Sequence, residues 1–124
     1  MSLKSLNSVQ RAAVEAVDGP VLIFAGAGSG KTRVLTHKLY YLVQEGLFEP
    51  EDIQAVTFTN KAAEEMKNRV MKLLNRKRLS LSIGTFHSIC ARILREDITT
   101  IGFSKNFAIY DVQDQLALIK VLIN

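Results

Sequence analysis

Three short apolar runs alternate with three helical patterns along the chain. Gly19-Pro20 punctuates the sequence ahead of Val21-Leu22-Ile23-Phe24, a continuous apolar run of the kind carried by a strand buried on both faces. A glycine-rich stretch follows, after which Val34, Leu35, Leu39, Leu42 and Val43 recur at helical spacing until Gly46 supplies a stop. The second unit pairs Gln54 to Phe58 with a helix capped by Asn60, whose apolar face is Ala62/Ala63, Met66, Val70 and Leu73/Leu74. The third pairs Leu79 to Ile83 with a turn at Gly84-Thr85 and a helix burying Phe86, Ile89, Cys90, Ile93 and Leu94. Such βα alternation predicts an α/β fold with a mainly parallel sheet flanked by helices and joined by right-handed crossovers.

After Ile101-Gly102 comes the apolar run Phe107 to Tyr110, and then Asp111 as the expected N-cap of a last helix, Val112 to Ile123. From Leu116 to Ile123 the only charged residue is Lys120. A helix that is apolar on nearly every face is normally covered by other structure, so the natural polypeptide is expected to continue past Asn124.

Composition narrows the picture. At 124 residues with 48% hydrophobic positions, the chain can bury a core, yet it has no room for two ordinary domains. A single cysteine, Cys90, excludes an internal disulfide. No apolar stretch approaches the ~20 residues of a membrane span, and Met1 to Val9 lacks a signal-peptide core. The expectation is a soluble cytoplasmic protein with no membrane partner and a buried thiol. Net charge is +4, but its location says more. From Lys61 to Arg78 seven basic residues stand against Glu64 and Glu65, more positive than the whole chain; either a solvated helix face or a nucleic-acid surface explains such a run.

The chemistry concentrates in Ala25-Gly26-Ala27-Gly28-Ser29-Gly30-Lys31-Thr32, set between a strand and a helix as a P-loop requires. Glycines allow successive N–H groups to converge on phosphate oxygens, and the helix N-terminus adds its dipole. Lys31 would reach the β- and γ-phosphates of ATP, and the Thr32 hydroxyl would ligate Mg²⁺. Ala25 stands where the strict pattern has glycine. Hydrolysis also needs an acid for Mg²⁺ and a group that orients water. Asp111 is the only acid preceded by four apolar residues, and Asp111-Val112-Gln113-Asp114 fits a helix cap better. His37 and His87 have no partners at metal-ligand spacing.

Several stretches in order resemble the UvrD/Rep type of superfamily 1 DNA helicases: Leu6 to Gln10, the loop through Arg33, Val56 to Met66 (VTFTNKAAEEM), Ile83 to Arg95 (IGTFHSICARILR) and Phe107 to Leu116. The resemblance covers nearly the whole chain. It implies residues 1–124 as the N-terminal part of a P-loop RecA-like domain, with 111–124 opening a helical inserted subdomain. It implies ATP and Mg²⁺ as cofactors, with Gln10 on the adenine edge and Arg33 on the adenine face. Asn7-x-x-Gln10 fits a capping box as well. Phe58, Thr59 and Asn60, and Thr85, Phe86 and His87 on the next unit, become contacts to single-stranded DNA at the strand ends; Phe58 as core and Asn60 as a cap are the alternatives.

The implied parent is an ATP-dependent helicase moving 3′ to 5′, whose partners are single-stranded DNA, a duplex junction and the remainder of the helicase chain. The family's Asp-Glu magnesium motif and second-lobe arginines are not among these residues, so the chain alone is expected to be inactive. Two other classes stay in view. One is a self-contained P-loop phosphotransferase, against which the VTFTNKAAEEM and GTFHS stretches weigh; the other is a non-catalytic nucleotide- or nucleic-acid-binding module.

Overall fold

Parallel strands cannot be joined by a tight turn, so a strand, crossover helix and neighbouring strand form the smallest unit that keeps the ladder paired. The computed structural model, which describes residues 3–123, contains one such unit. Gln54–Thr57 is β1 and Ser82–Thr85 is β2; they run parallel, with Gln54 opposite Ser82 and Thr57 opposite Thr85. The crossover is helix α3, Asn60–Leu74. Ahead of it lie α1 (Ser8–Glu15) and α2 (Lys31–Gln44), and behind it α4 (Phe86–Asp97) and α5 (Val112–Ile123).

The fold is α/β, but the sheet is smaller than the apolar runs predict. Val21–Phe24 joins no ladder, and Leu22 and Phe24 are 79% and 90% exposed. Apolarity favours burial, whereas a strand also needs a neighbour for its N–H and C=O groups; β1 and β2 satisfy each other, and no further strand forms among the described residues. Phe107–Tyr110 is likewise irregular.

The chain divides into two compact units, Met1–Ile89 and Cys90–Asn124. In the first, Leu39 of α2, Met66 and Val70 of α3, Ile53 and Leu81 form one apolar cluster, and Leu6, Val14 and Val34 form another around α1. The buried stripe of α3 is the expected one, with Ala63, Met66 and Val70 on one face. Its cap differs: the Thr59 hydroxyl accepts from the Ala62 N–H at 3.1 Å, so Thr59, not Asn60, is the N-cap. Asn75 ends the helix at φ +53°, the left-handed turn that asparagine tolerates.

In the second unit, Asp111 caps α5 as expected. Its Oδ1 accepts from the N–H groups of Gln113 (2.8 Å) and Asp114 (2.9 Å), while Asp114 Oδ2 accepts from the Asp111 N–H. The stripe predicted for α4 is buried only at Ile89; Ile93 and Leu94 are 46% and 40% exposed, and the Cys90 thiol is exposed rather than buried. From Cys90 onward the helix belongs to a unit too small to enclose a core.

These assignments predict that Met66→Ala lowers stability by about 2–5 kcal/mol through cavity formation, while Leu22→Ala changes it by less than about 0.5 kcal/mol. Urea unfolding of both variants checks the contrast.

Candidate functional site

Helix α2 begins without a side-chain cap. Its N-cap is Gly30 at φ +87°, and Gly28 sits at φ +74°. The N–H groups of the first turn therefore face the loop with no side-chain acceptor, in the arrangement that favours an anion. The loop closes on itself: the Ser29 hydroxyl donates to the Gly26 carbonyl at 2.7 Å. Lys31 folds back over it, its ammonium donating to the carbonyls of Ala25 (2.8 Å) and Gly26 (2.7 Å). Only the carbonyl of Ala25 is used, and its φ is not positive, which explains why alanine serves where the strict pattern has glycine.

Gln10 lies against this loop. Its main chain and side chain complete a capping box with Asn7: Asn7 Oδ1 accepts from the Gln10 N–H at 2.8 Å, and Gln10 Oε1 accepts from the Asn7 N–H at 3.2 Å. The same carboxamide donates from Nε2 to the carbonyl of Ser29 at 3.1 Å. The cap and the loop contact thus coexist. One Oε1 lone pair and one Nε2 hydrogen remain for a further partner. Gln10, Phe24, Ala25, Gly26, Ser29 and Lys31 are among the residues lining a cavity of about 330 Å³.

Arg33 is exposed and donates from Nη2 to the carbonyl of Ser5 at 2.8 Å, just ahead of α1. Thr32 is exposed, and its carbonyl accepts from the Thr36 hydroxyl at 3.0 Å. Lys38, which sequence reasoning missed, donates to the carbonyls of Ala13 and Ala16 at the end of α1. Its partners are main-chain atoms remote in sequence, so no motif could have announced it.

The strand edge forms a second cluster. Because Thr57 stands opposite Thr85, the residues that leave the two strands emerge side by side. Phe58 is 91% exposed and Phe86 53%, with ring centroids 5.8 Å apart and planes at 50°. Phe58 is therefore not a core residue. Thr59 is engaged as the α3 cap, while Asn60 and His87 are exposed. Thr85 is nearly buried: its hydroxyl accepts from the Ser88 N–H and donates to the Ser88 hydroxyl, both at 3.2 Å. A cavity of about 360 Å³ between α3 and the end of β2 has Asn60, Glu64, Lys67, Gly84 and Ser88 among its lining. A Cβ on Gly84 would stand 2.5 Å from Ser88 Oγ, so glycine permits this close approach. The basic residues from Lys61 to Arg78 are all exposed.

Electrostatics add little switching. The hydrogen bond that Arg11 Nε donates to the Glu15 carboxylate, followed by the charge of that carboxylate, raises the pKa of Arg11, which stays protonated in any case. Among the described residues no group of three or more His, Cys, Asp or Glu could hold a metal, and no helix is long and apolar enough to cross a membrane.

Known proteins are similar to this sequence. The family model for the UvrD/REP helicase N-terminal domain matches residues 6–124. The chain is 56% identical over 118 residues to the ATP-dependent DNA helicase PcrA of Bacillus subtilis (strain 168), covering 95% of this chain and 16% of that protein. Proteins of the same name from Staphylococcus epidermidis (strain RP62A) and Staphylococcus aureus (strain Mu50) are each 52% identical with the same coverage. The chain spans 16% of the length of these curated relatives.

The loop geometry predicts unequal costs for two glycines. Gly28→Ala, with open space around its Cβ, costs about 1–2 kcal/mol for its positive φ. Gly30→Ala costs more, because its Cβ would also press on Gln10 Nε2 at 3.0 Å. Thermal unfolding of the two variants orders them.

Proposed function

The chain belongs to the UvrD/REP helicase N-terminal domain family, and from that premise we propose that it forms the ATP-binding and single-strand-contacting part of a cytoplasmic, ATP-dependent DNA helicase moving 3′ to 5′. The observation that carries this reading is the loop itself. Two glycines at positive φ, an uncapped α2 and the Lys31 ammonium poised on the loop carbonyls form an anion cradle. β1 and β2 are taken as two neighbouring strands of a RecA-like sheet.

The residues fit a magnesium nucleotide. Glycines and N–H groups from Ala25 to Gly30 would hold the phosphates, Lys31 would neutralise the β and γ positions, and the Thr32 hydroxyl would serve as the protein ligand of Mg²⁺. ATP with Mg²⁺ supplies the phosphoryl transfer to water that powers movement. Gln10 reads the base: its free lone pair and free N–H match the donor and acceptor on the adenine edge, whereas guanine offers two acceptors there. The planar guanidinium of Arg33, anchored through Nη2 on the Ser5 carbonyl, would offer its face to the adenine ring.

Phe58 and Phe86 offer stacking faces to DNA bases, which suits a track that must tolerate any sequence. Asn60 and His87, exposed at the same edge, are the backbone contacts, with Thr59 and Thr85 shaping the turns that carry them. Completing hydrolysis requires an acid on Mg²⁺ and arginine donors. Asp111 is committed to capping α5, and no Asp is followed by Glu in the 124 residues. The remainder of a helicase chain would supply these groups.

Three outcomes follow from the assignment. Lys31→Ala abolishes ATP binding measured by calorimetry. Phe58→Ala weakens binding of a fluorescent single-stranded oligonucleotide by about 1–3 kcal/mol, read by anisotropy. Phosphate release by the purified 124 residues stays at background with or without DNA. Strong DNA-stimulated turnover, or ATP binding indifferent to Lys31, contradicts the proposal.

A further inference from the structure

Base recognition by Gln10 depends on where α1 lies, and two cations of α2 hold that helix at opposite ends. Arg33 donates to the carbonyl of Ser5, which precedes α1. Lys38 donates to the carbonyls of Ala13, in the last turn of α1, and of Ala16, its C-cap. The last carbonyls of a helix have no intrahelical partner and carry the negative end of its dipole, so an ammonium there satisfies acceptors and charge together. Between the two anchors, fully buried Val14 packs with Leu6 and Val34.

Packing at Val14 fixes the distance between α1 and α2 but resists rotation of α1 about its own axis only weakly. A side-chain group about 6 Å from a helix axis moves about 1 Å when the helix turns by about 10°. The Gln10 carboxamide tolerates little of this, since Nε2 already spans 3.1 Å to the Ser29 carbonyl and a further shift of about 1 Å would break that hydrogen bond. A single ammonium gripping two carbonyls of α1 opposes that rotation.

We propose that Lys38 is a positioning residue for the nucleotide base: by fixing the C-terminal end of α1 on α2 it sets the place of the Gln10 carboxamide, and so governs discrimination of adenine from guanine without touching the nucleotide. The inference rests on the reading of the Ala25–Thr32 loop as an ATP site, and extends it to a residue seven positions beyond Lys31. The phosphate cradle is built from the loop and the first turn of α2, neither of which Lys38 contacts through its hydrogen bonds. Its loss therefore separates base recognition from phosphate binding.

The test compares calorimetric affinities of the whole protein for ATP, GTP and inorganic tripolyphosphate in wild type, Lys38→Met, Lys38→Arg and Lys31→Ala. Lys38→Met is expected to lower the ATP-to-GTP affinity ratio about tenfold or more while leaving tripolyphosphate binding within about twofold of wild type. Lys38→Arg, still a multiple donor, retains most of the preference. An unchanged ratio in Lys38→Met overturns the inference, as does an equal loss for all three ligands, which would mark Lys38 as a purely structural support. Tripolyphosphate binding unaffected by Lys31→Ala would instead overturn the assignment of the loop, an outcome read independently of the Lys38 ratio.

Discussion

The uncapped N-terminus of α2 is the constraint on which the site depends. A helix start normally satisfies its free N–H groups with a side-chain oxygen from the preceding residue. Here that residue is Gly30, at φ +87°, which has no oxygen to give and turns the chain back toward Ser29. The α2 terminus is left with uncapped N–H groups, and the loop with the carbonyls of Ala25 and Gly26 turned to one point. Lys31 takes the carbonyls. The N–H side is the part of the molecule with most to gain from an anion.

α1 adds selectivity to that cradle. Its capping box uses one Oε1 lone pair of the Gln10 carboxamide and the Ser29 carbonyl one Nε2 hydrogen, so the group is held in orientation while still able to form two more bonds. At the strand edge the opposite economy holds. The hydroxyls of Thr57, Thr59 and Thr85 are taken up by local main-chain and Ser88 contacts that start α3 and α4. With those polar groups engaged, the rings of Phe58 and Phe86 are what the edge presents to solvent.

Features governed by local rules were legible in the sequence: the spacing of the glycine loop, the Ala63, Met66 and Val70 stripe, the Asp111 cap and the Asn7–Gln10 box. Features that need a partner were not. Val21–Phe24 has the composition of a buried strand, yet composition cannot say which backbone will pair with it, and none does among the described residues. The start of α3 lies one residue earlier than the Asn60 cap predicts because Thr59 and Asn60 are both good caps, and only the chain's exit from β1 decides between them. The contacts of Arg33 and Lys38 end on main-chain carbonyls, which every residue carries, so sequence could not single out Ser5, Ala13 or Ala16.

Cap and base contact compete for Gln10 in the sequence alone, whereas the folded cap leaves one Oε1 lone pair and one Nε2 hydrogen free for the proposed base contact. That compatibility ties the local folding of α1 to the geometry of the loop, and the most direct test is to watch both at once. Backbone and side-chain amide resonances followed during titration with ATP and Mg²⁺ should shift first and furthest at Gly28, Ser29, Gly30, Lys31 and Thr32 and at the Gln10 side-chain amide. Shifts confined to other regions, with these signals unmoved at saturating nucleotide, would contradict the account.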